Sequence, residues 1–502
     1  MHEFDLAKLL WQEVSGQYQW YYLAHLRRRF RVGPASLRVS AGRGCNLYCL
    51  VDGFAGNAPG CGRIALLGEA TFTQAKQDQH SRITVEVLVI RSRRPRHCPQ
   101  SQYHARDAQS SYLYNRPVGV EVFTVNQITN LPVQTITSGN QLAAAVKAMH
   151  LEPAIALDTE SNSFFHYPEQ LCLVQIATSR VVVIVDPLVF SEVLPLKGLL
   201  ASPVVQKIIH AADYDVRSLD RAWGFRVANI YDTNLAARFA GMTQLGLAGL
   251  AQELLGVRLN KEKRLQRSDW GQRPLSREAM EYAAGDVRYL VAIRDELDKR
   301  LRLLDRAKWV AEEFTRLEEI RYEPPDPESA FLAVKGSRDL SPSGLAVLRT
   351  LFAFRDMEAL RQGRPHFRVF GDSTLVYLAA NPEADLAQTP GLGAAGLQRF
   401  GPSLQHAVKE GKAAPPYHRP RPAQRWERPT QEQIARLQML KAWRSALGAR
   451  LSIDPSLLWP MASLERLAGQ TSALDAELAA PGVRAWQIQE FGASLRKLLV
   501  TT

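Results

Sequence analysis

The chain of 502 residues has only 5 cysteines, and four of them, Cys45, Cys49, Cys61 and Cys98, stand within the first hundred positions. An odd and low count excludes a disulfide framework and points to a reducing compartment, so a cytoplasmic protein is expected. With His97 or His104 those four residues could surround zinc only loosely, because the compact CxxC pairs of a structural zinc site are missing. Long hydrophobic runs are missing too. The strongest, around Val181 to Val185, falls far short of the ~18 to 20 apolar residues that a membrane helix needs, so no membrane association is expected. The N-terminal MHEFDLAKLLWQEV has acids where a signal peptide carries its basic region, and no long apolar stretch follows, which argues against export. Hydrophobic residues make up 46% and charged residues 22%, a composition that excludes a disordered chain. At about 150 residues per domain, several folded domains are expected.

The net charge of +12 invites a nucleic-acid reading, since a basic surface attracts phosphate and releases its counterions. Location weakens that inference: residues 1–130 hold 16 Lys and Arg against 9 Asp and Glu, which is +7 of the total. A more local signal is the run Arg258, Lys261, Lys263, Arg264, Arg267 and Arg273 with Trp270 among them. Cations beside an aromatic ring can hold a strand's backbone and stack on a base, although a solvated loop is the plainer reading of such a run.

Residues 1–125 show Arg clusters at 27–29 and 91–96 and one strand-like stretch at 83–90, and no fold is assigned to them. They read as a weakly ordered basic extension or as upstream sequence attached by an early start codon. From 126 the texture changes. SGNQLAAAVKAM has an N-cap serine before helix formers, and AIALDTE reads as a buried strand ending in acids. LCLVQIA at 171–177 and VVVIVDP at 181–187 are further strands, VVQKIIHAADYDVRSLDRAWG runs from a strand into a helix, and IYDTNLAARFAG begins another helix. This order predicts an α/β core with a mixed sheet over about 126–310. Beyond about 300 strand signals fade and helix is expected throughout. That part contains a repeat: Pro390-Gly391 with Phe400-Gly401 returns as Pro481-Gly482 with Phe491-Gly492, offset by 91 residues. Two small all-α domains are predicted, 335–412 and 430–502, joined by a Pro- and Arg-rich semi-rigid linker over 413–429.

Chemistry is suggested by carboxylates. Asp158 and Glu160 are two apart at the end of a predicted strand, so both side chains share a face. Asp215 lies early in a predicted helix beside Asp213, and Tyr282 and Asp286 are four apart on another, hence on one face. Each alone has an ordinary explanation: a polar strand end, a solvated helix start, a local packing pair. Together they offer four hard oxygen donors from three elements of one domain, a set that suits Mg²⁺ or Mn²⁺. Two such ions activate water and stabilise the leaving oxygen in phosphodiester hydrolysis.

The motifs Leu157-Asp158-Thr159-Glu160, LCLVQIA, His210-Ala-Ala-Asp-Tyr-Asp215, Tyr231-Asp232-Thr233, Arg267-Ser268-Asp269-Trp270 and Tyr282-Ala-Ala-Gly-Asp286 resemble, in order and spacing, ribonuclease D. The resemblance covers roughly residues 130–300, and the helical repeats are similar to HRDC domains. It implies a ribonuclease H-like fold of the DEDD exonuclease superfamily, followed by two HRDC-like domains, and removal of nucleotides from RNA 3′ ends, tRNA precursors included. By the same resemblance Asp158, Glu160, Asp215 and Asp286 are metal and catalytic residues, and Tyr282 orients the attacking water. The other subclass of the superfamily has histidine five residues before the last aspartate. Here that position is Glu281, which fits the tyrosine subclass. Nucleic acid would be held by Lys261, Lys263, Arg264, Arg267 and Trp270. The alternatives are a 3′-5′ DNA exonuclease, which uses the same metal chemistry, and a non-catalytic RNA-binding adaptor, against which the complete set of acids speaks. No protein partner is implied, and a monomer is expected. At Arg484 the second repeat departs from Gly393 of the first, so a turn that approaches phosphate closely suits the first copy, and a structural role suits the second.

Overall fold

The computed structural model describes residues 125–260, 262–420, 428–470 and 474–500, along with six short strands nearer the N-terminus. The chain divides into two units, residues 1–118 and 119–502. In the first, the described segments pair as three antiparallel ribbons: Leu10–Val14 with Gln17–Tyr21, Ser36–Ser40 with Tyr48–Asp52, and Ala70–Thr71 with Thr84–Val85. Of the strand expected over 83–90, only Thr84–Val85 is among the described residues. Cys45, Cys61, Cys98, His97 and His104 lie outside them.

The second unit is built on a six-stranded sheet. Its strands are β1 (Val133–Ile136), β2 (Ala154–Ser161), β3 (Leu171–Ala177), β4 (Val182–Val185), β5 (Gln206–Ile209) and β6 (Ile230–Asp232), in the order β6-β5-β2-β3-β4-β1. β3 runs antiparallel to β2 and β4, and the remaining pairs are parallel, which makes the sheet mixed as predicted. All of β3 is buried, so LCLVQIA is apolar on both faces except at Gln175 and does not alternate. Strand alternation assigns side chains to two cores: Ala154 and Ala156 of β2 join one, Ile155 and Leu157 the other.

Helices cover both faces. α1 (Gly139–Met149) starts where the Ser138 side chain accepts from the Gln141 backbone N–H, and it buries Leu142, Val146 and Met149 at helical spacing. It shares the Leu157 core with α2 (Asp213–Trp223). The Ala156 core is covered by α3 (Thr233–Phe239), α4 (Arg277–Arg288), α5 (Leu290–Leu303) and α6 (Ala307–Glu318). Beyond residue 320 the described residues hold no strand. α7 (Pro342–Gln362), α8 (Asp372–Ala380) and α9 (Gly393–Ala413) close round a core of their own that includes Phe331, Leu348, Leu375 and Phe400. Of the linker expected over 413–429, Ala413 ends α9, 414–420 and 428–429 carry no helix or strand, and 421–427 lie outside the described residues. α10 (Gln431–Leu451) opens with a capping box between Thr430 and Gln433, and α11 (Met461–Gly469) and α12 (Ala485–Val500) complete the second helical region. No helix among the described residues is long and apolar enough to cross a membrane.

The two helical copies differ in what they pack against. The first keeps its own core, whereas Leu440, Leu464, Trp486 and Phe491 of the second belong to the same core as Trp309 and Phe314 of α6. Trp486 stacks on Trp309, ring centroids 5.0 Å apart, and meets the edge of Phe239 at 5.5 Å. Gly241, at φ 74°, stands where a Cβ would come within 2.6 Å of the Ser452 carbonyl, so only glycine allows the two backbones this close. Arg484 donates to Glu313 at 2.9 Å. The Glu312 carboxylate accepts the Ala485 and Trp486 backbone N–H groups at 2.8 and 3.0 Å. Carboxylates of α6 thus satisfy the start of α12, whereas the equivalent turn of the first copy keeps positive φ at Gly391 and Gly393.

Replacing Trp486 with alanine opens a cavity against Trp309 and Phe239 and should cost about 3–5 kcal/mol. Urea unfolding checks this as a lowered midpoint, and an unchanged midpoint would remove the shared core from the account.

Candidate active site

The acids of β2 follow from its alternation. Ala154 and Ala156 face the core under α4, so Asp158 and Glu160 continue on that face as the strand leaves the buried part of the sheet. α4 packs across β2, β3 and β4. Its start is fixed by Ser276, whose hydroxyl accepts from the Ala279 N–H at 3.1 Å. Ala283 and Ala284 are fully buried, and side chains this small let the helix lie close to the sheet. One turn then brings Tyr282 and Asp286 over the strand end. Asp158, Glu160 and Asp286 each offer a carboxylate oxygen within 4.8 Å of the others, a spacing and a donor type that fit a hard divalent cation.

Asp215 reaches this group from α2, on the other face of β2. It is only 5% exposed, and the Thr159 hydroxyl donates to it at 2.6 Å. Burial, and then the charge of Asp158, raise its carboxyl well above the ordinary range. Asp213 is exposed and ion-paired with Arg217 at 2.9 Å, so of the two aspartates Asp215 is the one beside the cluster. Tyr282 is almost buried, and burial together with the charges of Glu160 and Asp158 pushes its hydroxyl up to about 12. Beside α4 a cleft of about 570 Å³ is lined by Arg258, Leu259, Arg277, Tyr282, Asp286 and Tyr289.

Asp232 was legible only as part of a motif, and it organises much of the surroundings. Its carboxylate accepts the N–H groups of Asn234 and Leu235, capping α3, and those of Ala211 and Ala212 at 3.1 and 2.8 Å, in the turn just before α2. Ala211 sits at φ 61°, a left-handed conformation unusual for alanine. The Asp-Thr pair before helix formers is an N-cap signal. The reach back to residues 211–212 has no signal in the sequence.

The basic segment separates into different roles. Lys263, Arg264 and Arg267 are exposed, although Arg264 is paired with Glu278 at 2.8 Å. Lys261 lies outside the described residues. Trp270 departs from its expected role as a stacking surface: it is 1% exposed, and its ring centroid lies 6.1 Å from that of Tyr282. Packed there, the indole offers no face to a base and instead backs the tyrosine. Arg273 grips Asp186 through two bonds of 2.7 Å and the Cys172 carbonyl at 3.1 Å, tying the segment to β3 and β4.

Residues 133–302 match the 3′-5′ exonuclease family model and residues 344–408 the HRDC domain model. Ribonuclease D of Granulibacter bethesdensis is 31% identical over 363 residues, 71% of this chain and 90% of that protein. Ribonuclease D of Pseudomonas paraeruginosa is 35% identical over 253 residues, 50% of this chain and 66% of that protein. Among solved structures, Escherichia coli RNase D, an exoribonuclease involved in structured RNA processing, superposes with a TM-score of 0.57 at 25% identity, covering 74% of this chain and 99% of that one. The catalytic core of RRP6 from Trypanosoma brucei gives 0.50 at 28% identity, covering 56% and 80%. With an acidic cluster at the end of a mixed sheet, an exonuclease domain and a following HRDC domain, the chain belongs to the ribonuclease D family of 3′-5′ exoribonucleases.

Proposed function

We propose that this enzyme trims single nucleotides from the 3′ end of RNA, tRNA precursors among its substrates, and releases nucleoside 5′-monophosphates. The observation that carries this reading is the convergence of Asp158, Glu160 and Asp286 beneath Tyr282, with Asp215 buried behind them. Asp158, Glu160, Asp215 and Asp286 would hold two divalent cations, Mg²⁺ or Mn²⁺. The raised carboxyl of Asp215 supports this, because a carboxylate forced beside another favours either a proton or a cation. When bound, such ions lower the pKa of the attacking water and stabilise the leaving oxygen.

The chain's own residues then orient and select. With its pKa pushed up to about 12, Tyr282 keeps its proton at neutral pH, so its hydroxyl orients the attacking water by hydrogen bonding and does not act as a base. Trp270 behind it limits the ring's freedom. Lys263, Arg264 and Arg267 lie on the surface nearby, where they would hold the upstream phosphates, with Lys261 in the same stretch of sequence. Asp232 acts through others: by holding residues 211–212 it sets where α2, and therefore Asp215, begins. The domain reading assigns 126–310 to the nuclease, 335–412 to the first HRDC-like domain, 413–429 to the linker and 430–502 to a second HRDC-like domain with a supporting role. The protein would work as a cytoplasmic monomer.

Digestion of a 5′-labelled single-stranded RNA beside matched DNA tests the reading. Wild type with Mg²⁺ should give a ladder that shortens from the 3′ end, stronger on RNA and absent with EDTA. Asp215→Asn should lower turnover by more than the about 10–100-fold typical of residues that only support a metal ligand. Equal activity in that variant would sink the assignment. Proton and cation compete for the raised carboxyl of Asp215, so the Mg²⁺ concentration needed for half-maximal activity should rise as the pH falls.

Asp232→Asn should reduce kcat about tenfold with little change in KM for RNA, on the scale of residues that position a ligand. Adding Ala211→Gly, which relieves the left-handed conformation, should recover part of the loss. A change confined to KM would speak against a positioning role.

A further inference from the structure

The loop between β2 and β3 does two things at once. It leaves the strand at Ser161, the residue after Glu160, and it carries the joint to the first helical domain. Asn162 folds it into a turn, its carbonyl accepting the Phe165 and His166 N–H groups at 2.8 and 2.9 Å. Tyr167 latches it to α7: its hydroxyl donates to Asp356 at 2.6 Å, and its N–H donates to the Gly363 carbonyl at 3.3 Å. His366 meets the same Asp356 carboxylate at 2.8 Å and lies 4.4 Å from the Tyr167 ring. This latch fixes the relative position of two side chains that stay on the outside. Phe164 from the loop and Phe367 from the helical turn His366–Val369 are 47% and 58% exposed, and their rings meet edge to face with centroids 6.5 Å apart.

Two cations lie against the phenylalanines of the loop. The Arg267 guanidinium lies 6.0 Å from the Phe164 ring, and that of Arg368 lies 4.4 Å from Phe165. Both arginines are exposed, and among the described residues neither pairs with a carboxylate. Two exposed aromatic faces with unneutralised guanidinium groups beside them match what single-stranded nucleic acid presents, bases with π faces joined by phosphates.

We propose that Phe164 and Phe367, with Arg267 and Arg368, form a platform across the seam of the nuclease and the first HRDC-like domain that stacks bases of the RNA upstream of the scissile phosphate. This rests on the exonuclease reading and deepens it. The first HRDC-like domain contributes Phe367 and Arg368, so the platform serves substrates long enough to reach it and is idle on the shortest ones.

The test uses the full chain and Phe367→Ala, a substitution at an exposed ring that leaves the core untouched, on a 5′-labelled dinucleotide and on a single-stranded RNA of about 12 nucleotides. KM for the longer RNA should rise about five- to tenfold, in line with the loss of one stacked base, with kcat unchanged and dinucleotide kinetics equal to wild type. Phe367→Trp should restore the longer substrate. Arg368→Ala should raise the same KM and lower the salt dependence of binding by about one phosphate contact. Equal loss on both substrates, or none on either, overturns the platform. If wild type digests neither RNA, the exonuclease reading fails, and anisotropy of the longer RNA in EDTA still decides the platform. Weaker binding by Phe367→Ala supports it, and equal binding overturns it, leaving the patch to a protein partner.

Discussion

Mutual repulsion of carboxylates at the end of one strand is the constraint on which this structure turns. Asp158, Glu160 and Asp286 bring their oxygens within 4.8 Å of one another, and Asp215 is buried on the Thr159 hydroxyl, where the charge of Asp158 reaches it. Such a group costs stability unless a cation or a proton offsets it. The surrounding fold holds it in place regardless. β3 is buried along its whole length and secures β2, the small residues of α4 let that helix lie close, and Asp232 fixes the turn from which α2 starts. Local propensity alone would not choose this arrangement, which is the expected signature of a working site.

Much of this was legible because it depends on short periods. The two-residue period of β2 aligned Asp158 with Glu160, and the four-residue spacing on α4 aligned Tyr282 with Asp286. The apolar runs of β2, β3 and β4 marked the sheet. What depended on distant partners was not legible. Asp213 and Asp215 differ only in what they meet, Arg217 for one and Thr159 for the other. Trp270, among arginines in the sequence, looked like a surface ring, and it is held under Tyr282 by packing that no local pattern encodes. Arg273 looked like one more surface cation, and its partner Asp186 is 87 residues away.

The repeated helical domains show one sequence pattern packed in two ways. In the second copy, arginine in place of glycine meets Glu313 of α6, and the neighbouring Glu312 occupies the start of α12. A helix start satisfied by carboxylates has no room for phosphate, and the shared aromatic core makes that copy part of the nuclease's support. The first copy keeps its own core and touches the nuclease through a polar latch at Tyr167 and Asp356, which leaves aromatic rings exposed at the seam. The copies thus differ in which turn is covered and in which core they share.

Thermal unfolding of wild type and Asp215→Asn, each in EDTA and with Mn²⁺, tests the central claim most directly. A carboxyl whose pKa is raised by folding destabilises the folded chain at pH values above it, so removing its charge should raise the melting temperature in EDTA. Mn²⁺ should then stabilise wild type markedly and the variant little. A variant that melts below wild type in EDTA, and gains as much from Mn²⁺, would contradict the account.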